Sequence, residues 1–153
     1  MMNRPAAGPD LGPNFRLRVM RILWGAFLIT VGLFVLVTRL VRPGAGTGAV
    51  MGGGNTTVLY ALAALALSMV AASFVLKSAL YKRAAERQQP DILQAGFILA
   101  LALCESAALL GLVGLFITWN DYFYLLFALG ALGELLHFPR REQVMAAYFK
   151  PGM

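Results

Sequence analysis

Residues Ile92 to Thr118 read ILQAGFILALALCESAALLGLVGLFIT, a run with no proline and a single charged residue, Glu105. A helix crosses the hydrocarbon core of a bilayer with about 20 apolar residues, so this segment is long enough to span one. Taking entry near Ala95 and a rise of about 1.5 Å per residue, Glu105 falls roughly 15 Å in, close to the midplane of a core about 30 Å thick. A charge at that depth costs at least about 2.5 kcal/mol on insertion scales, so an acid kept there is a candidate functional group.

The rest of the composition agrees with a membrane protein. Of 153 residues, 59% are hydrophobic and 13% are charged, about half the charged share of an average soluble domain. The net charge of +6 does not point to nucleic acid. The basic residues flank apolar runs and form no interleaved basic–aromatic surface, so they read as topology signals and contacts to anionic lipid. Cys104 is the only cysteine, which excludes a disulfide framework or a cysteine metal site within one chain. Its place inside an apolar run predicts a small core residue.

Working outward, four spans are expected, at about residues 22–38, 57–76, 92–118 and 122–138. Residues 1–15, with Pro5, Pro9 and Pro13, read as a disordered amino-terminal tail, residues 16–141 as the membrane domain, and residues 142–153 as a carboxyl tail. The glycine-rich stretch Gly44 to Thr57 lacks the preceding strand and Lys/Ser pairing of a phosphate-binding loop and reads as a flexible connection. In the second span, Ala61, Ala64, Ser68, Ala71 and Ala72 recur at helical spacing and predict a smooth face for close helix packing. Lys77, Lys82, Arg83 and Arg87 then read as a polar connector ending at Pro90. The third span closes at Trp119-Asn120-Asp121. Tyr122, Phe123 and Tyr124 read as an interfacial aromatic belt at the start of the fourth, where Gly130, Ala131 and Gly133 allow close packing.

Lys and Arg number four before the first span, two in the first loop, four in the second connector, none in the third turn and three at the carboxyl end. With four spans that is eleven on one side against two on the other. The positive-inside rule then places both termini in the cytoplasm. The expectation is an all-α protein, a four-helix transmembrane bundle in a bacterial-type inner (plasma) membrane. Helices two and three form its tightest hairpin, with Glu105 facing the alanine-rich side of helix two. The bilayer is the implied partner, with a homo-oligomer or a larger membrane complex as the expected assembly.

Arg87-Gln88-Gln89-Pro90-Asp91, followed by LALALCESAALLGLVGLF at Leu99 to Phe116, resembles the proteolipid or c subunit of F- and V-type ATP synthases. In that family a two-helix hairpin turns at a polar Arg-Gln-Pro-acid loop on the cytoplasmic side. Its second helix carries an ion-binding carboxylate followed by a Gly-Leu-Val segment. The resemblance covers only the second and third spans. It implies that Glu105 corresponds to the carboxylate and Gly111-Leu112-Val113 to the segment after it.

Glu105 therefore has two readings from its own chemistry. It is either a proton carrier, neutral against lipid and ionised against water, with Ser106 and backbone carbonyls supplying hydrogen bonds, or a protonated group that holds helices in register. Glu134 and His137, three apart, share one helical face. They read either as a proton-access pair, since histidine titrates near neutrality, or as an interfacial cap close to Arg140 and Arg141. One histidine and one cysteine are too few for a metal site or a haem anchor. No nucleophile, base and orienting group can be assembled, so neither a cofactor nor an enzymatic activity is expected.

Overall fold

The computed structural model describes residues 12–41, 56–118 and 121–149. They form α1 (Pro13–Val41), α2 (Thr56–Arg87), α3 (Pro90–Thr118), a 3-10 turn (Asp121–Phe123), α4 (Tyr124–Leu136) and a short α5 (Arg141–Ala146). By length and composition, α1, α2 and α3 can each cross a membrane. At 29 to 32 residues they measure about 43 to 48 Å, longer than a hydrocarbon core of about 30 Å. With its 13 residues, α4 reaches only about 20 Å. The expected span 122–138 is shorter as a helix because Tyr122 and Phe123 belong to the 3-10 turn and the helix stops before Pro139.

The boundaries of α1 and α2 also differ from the sequence expectation. Helix α1 begins at Pro13, within the stretch expected to be disordered; proline suits the first helical position, where its missing N–H costs nothing. Residues 1–11, 42–55, and Trp119 and Asn120 lie outside the described residues; of the glycine-rich stretch Gly44 to Thr57, only Thr56 and Thr57 are described, and they open α2. The expected polar connector after Leu76 is instead helical: α2 runs on through Lys77, Lys82 and Arg83 to Arg87. It ends in a Schellman arrangement, with the Gln89 N–H bonded to Ala84 O at 3.0 Å and Gln88 in the left-handed region at φ 51°. Gln88 lacks glycine's freedom there. Its side-chain amide offsets this by donating to Ala85 O and Ala146 O.

Helices α2 and α3 share the most extensive interface of the molecule. The face of α2 that meets α3 and α4 carries Leu59, Ala66, Val70 and Ser73, and not the predicted small-residue stripe. Ala61, Ala64, Ser68, Ala71 and Ala72 are all exposed. Small size permits close packing but does not choose the direction; the larger side chains at the interleaved positions bury more area and take the inner face. On α3, Cys104 and Ala107 join that α2 cluster. Glu105 is one residue, about 100° of helix, away from Cys104. It lies on the stripe of Leu101 and Ala108, whose clusters include Leu17 and Met20, and Val31, of α1. The expected placement of Glu105 against the alanine-rich face of α2 is thereby corrected.

Helix α5 folds back onto this frame, so residues 142–149 are not a free tail. Val144 and Ala147 are buried with Leu17 and Met20 of α1, Ala84 of α2 and Leu93 of α3. The start of α1, the α2–α3 turn and the end of α4 therefore meet at one end of the bundle. Arg16 ties the same end together through Asp91 and Gln94 of α3. Elsewhere the surface is a girdle of exposed apolar side chains, including Ile29 and Leu36 on α1, Leu67 and Val75 on α2, Phe116 on α3 and Leu132 on α4. Water would penalise so large an apolar surface, whereas lipid accommodates it.

Candidate functional site

Among the described residues, four of the five buried polar side chains converge where α2, α3 and α4 meet; the fifth, Thr38 near the end of α1, donates to Val35 O of its own helix. From α2 come Ser73 and Lys77, four residues apart and so on one face. Glu134 and His137 come from the last turn of α4 and its cap, and Cys104 from the middle of α3. Ser73 and Cys104 are each about 21 Å along their helices from the α2–α3 turn, near the centre of both long helices. Glu134 and His137 are 0% exposed and Lys77 is 8% exposed. His137 does cap α4, but both side chains lie inside the bundle and not on its surface beside Arg140 and Arg141.

Their burial follows from the glycines of α4. A Cβ on Gly133 would stand 2.7 Å from Cys104 Sγ, and one on Gly130 would stand 2.8 Å from both Ala108 Cβ and Cys104 O. The two glycines thus let α4 approach α3 closely, as the sequence suggested. This approach brings the last turn of α4 against Ser73 and Lys77. Trp24 of α1 seals the other side by donating its indole N–H to Glu134 O at 2.8 Å.

The hydrogen-bond geometry assigns the histidine tautomer. Ser73 Oγ donates to Val70 O at 2.6 Å, which uses its only proton. Ser73 Oγ therefore accepts at 2.9 Å from His137 Nε2, which carries the ring hydrogen. Cys104 Sγ lies 3.5 Å from the same hydroxyl and can donate to its second lone pair. His137 Nδ1 is buried, with no hydrogen-bond partner among the described residues. Phe74 packs on the ring with centroids 4.3 Å apart and fixes its plane. Lys77 Nζ donates to His137 O at 3.3 Å and lies over the rings of Tyr81 and Phe97.

Both carboxyl oxygens of Glu134 are buried and neither has a hydrogen-bond partner among the described residues. Glu105 is half-exposed and close enough to act on Glu134 electrostatically. No hydrogen bond joins Ser106 to Glu105 among the described residues; the Ser106 hydroxyl donates back to Ala102 O at 2.7 Å. Of the four candidates from sequence, Glu134 and His137 come together with Glu105 beside them, and Ser106 stands apart. Among the described residues, no three His, Cys, Asp or Glu are placed to hold a metal ion.

Lys77 and Ser73 are the residues that sequence reasoning missed. A signal was present: Ala66, Val70, Ser73 and Lys77 follow one another at three- and four-residue steps along a single face. Ser73→Ala is expected to cost about 1–3 kcal/mol, because it strands His137 Nε2 in the interior. Denaturant titration of the reconstituted protein checks this; an unchanged midpoint would mean that the 2.9 Å contact contributes nothing.

Fold and site together define a class: a small all-α protein, with three helices able to span a membrane, that encloses an ionisable cluster. No family model, curated protein or solved structure matches the chain.

Proposed function

We propose that this protein binds and passes protons through the bundle, with Glu134 as the central carrier, His137 on one side of it and Glu105 on the other. The observation that carries the reading is the Glu134 carboxyl, fully buried with neither oxygen hydrogen-bonded among the described residues. Burying such a group is expensive and contributes nothing to folding, which favours a role in exchange. The bare Nδ1 of His137 is a second acceptor three residues away, and Glu105, half-exposed, supplies a third group at the same depth. The α2–α3 hairpin with Glu105 on its second helix is also the part that resembles the ATP synthase proteolipids. The end of the bundle that gathers the start of α1, the α2–α3 turn and Arg140-Arg141 is rich in basic residues, so we place it in the cytoplasm.

The test is proton flux into liposomes, read by an internal pH dye under an imposed potential. Wild-type protein is expected to conduct. Glu134→Gln, which keeps shape but cannot ionise, is expected to reduce the rate at least tenfold, with Glu105→Gln intermediate. Flux that is absent from the wild type, or unchanged in Glu134→Gln, would sink the reading.

A second reading is that of an assembly subunit in a homo-oligomer or larger membrane complex. It is favoured by the position of Glu105, half-exposed with no hydrogen bond or ion pair among the described residues, where a partner helix could cover it. On that reading Glu105→Gln leaves the assembly intact, Glu105→Leu loosens it, and no variant conducts.

A further inference from the structure

A cavity of about 240 Å³ opens on the side of the bundle between α2, the end of α4 and the start of α5. Its walls are sharply divided. Lys77 and Arg140 supply two cations, and no Asp or Glu lines it. Among the described residues, neither cation has a carboxylate partner. Lys77 is buried, and its ammonium has three donors, of which His137 O takes one. The outer rim is apolar and open: Phe74, Leu136 and Phe138 all line the cavity and are 38%, 71% and 43% exposed.

Three lining residues each carry a buried polar atom with no hydrogen-bond partner among the described residues: Tyr81 Oη, His137 Nδ1 and Gln143 Oε1. Native interiors rarely leave this many polar groups unsatisfied in one place unless a ligand or water completes them. Depth adds a constraint. Lys77 lies ten residues, or about 15 Å, from the end of α2. Because that helix overhangs the hydrocarbon core, its ammonium sits just inside the boundary with the head groups.

We infer that this cavity is a binding site for the phosphate group of an anionic phospholipid, held by Lys77 and Arg140. Its acyl chains lie along Phe74, Leu136 and Phe138. A phosphate answers the uncompensated cations, and the bare acceptors His137 Nδ1 and Gln143 Oε1 suit hydroxyls of a polyol head group. The open apolar rim favours a lipid over a free anion. The site shares His137 with the proton reading but neither Glu134 nor Glu105, so lipid retention in the Arg140 variant and proton flux in the Glu134 variant test the two separately.

The experiment is native mass spectrometry of the full-length protein, delipidated in neutral detergent and titrated with phosphatidylglycerol, phosphatidylcholine or inorganic phosphate. One phosphatidylglycerol is expected to be retained at least tenfold more strongly than phosphatidylcholine. Arg140→Ala, at an exposed position that the fold does not need, is expected to remove most of that preference. Lys77→Met, which fills the same volume without the charge, is expected to do likewise. Equal retention of the two lipids, or a preference unchanged in both variants, would overturn the site. Inorganic phosphate displacing phosphatidylglycerol at low millimolar concentration, with the same dependence on Arg140, would keep the phosphate site and make a free anion its ligand.

Discussion

Gly130→Val is expected to prevent α4 from docking, leaving a protein that inserts into membranes but shows no cooperative unfolding transition. A Cβ at this position would meet Ala108 Cβ and Cys104 O at 2.8 Å and Ala108 N at 3.0 Å. Two of those three atoms are backbone, so no rotamer change relieves the clash, and the two added methyls of valine make it worse. Overpacking in a well-filled core costs typically about 1–3 kcal/mol, and a clash against rigid backbone belongs at or beyond the upper end. Gly133 provides the internal control. Its nearest neighbour is Cys104 Sγ at 2.7 Å, a side-chain atom, so Gly133→Ala should be rescued in large part by Cys104→Ala. Gly130→Ala should not be rescued by the same change, since the carbonyl it meets remains. Unfolding in mixed micelles, followed by the fluorescence of Trp24, compares these variants and their combinations with Cys104→Ala. Rescue of both glycine variants, or of neither, would show that α4 does not pack on α3 at these distances.

Glu134→Leu is expected to do two opposite things. Removing an unpartnered buried carboxyl in favour of a side chain of similar size should stabilise the fold by about 1–3 kcal/mol, the usual cost of an unsatisfied buried group. The same change should abolish proton conduction. Gain of stability with loss of activity is the behaviour of a residue retained for function at the expense of folding. A structural role predicts the reverse, a destabilised bundle. The backbone contact from Trp24 goes to Glu134 O and survives any substitution at the side chain, so the comparison isolates the carboxyl. A Glu134→Leu protein that unfolds more easily than wild type would show that the carboxyl is satisfied in the membrane, and would remove the main support for the proton-passing proposal.

Much of the architecture was legible from the chain alone, for a simple reason. A bilayer demands continuous apolar length and complete backbone pairing, and both are written in one dimension. Three long helices and a shorter fourth, the α2–α3 hairpin, the close approach at Gly130 and Gly133, and the core position of Cys104 all follow from local pattern. Errors arose where direction around a helix mattered. In an all-apolar segment the inner and lipid-facing sides carry similar residues, so periodicity is weak and the buried face is ambiguous. That is why the sequence alone favours an inward small-residue stripe on α2 with Glu105 facing it, whereas packing turns the stripe outward.

Charge misled for a related reason. Lys77 follows an apolar run, and a lysine in that position ordinarily marks a helix end. Only the arrival of His137 O and the rings of Tyr81 and Phe97 makes its burial tolerable, and those groups lie up to 60 residues away in sequence. Glu134 and His137 likewise sit close to Arg140 in sequence yet point into the bundle. The sequence by itself determined an apolar helical chain of membrane-spanning length with a basic end and a few ionisable residues in its spans. Tertiary structure alone decided which of them share a site, because the faces of α2, α3 and α4 that meet are chosen by packing between distant segments. That packing gathered Ser73, Lys77, Glu134 and His137 in the interior and left Glu105 at its edge.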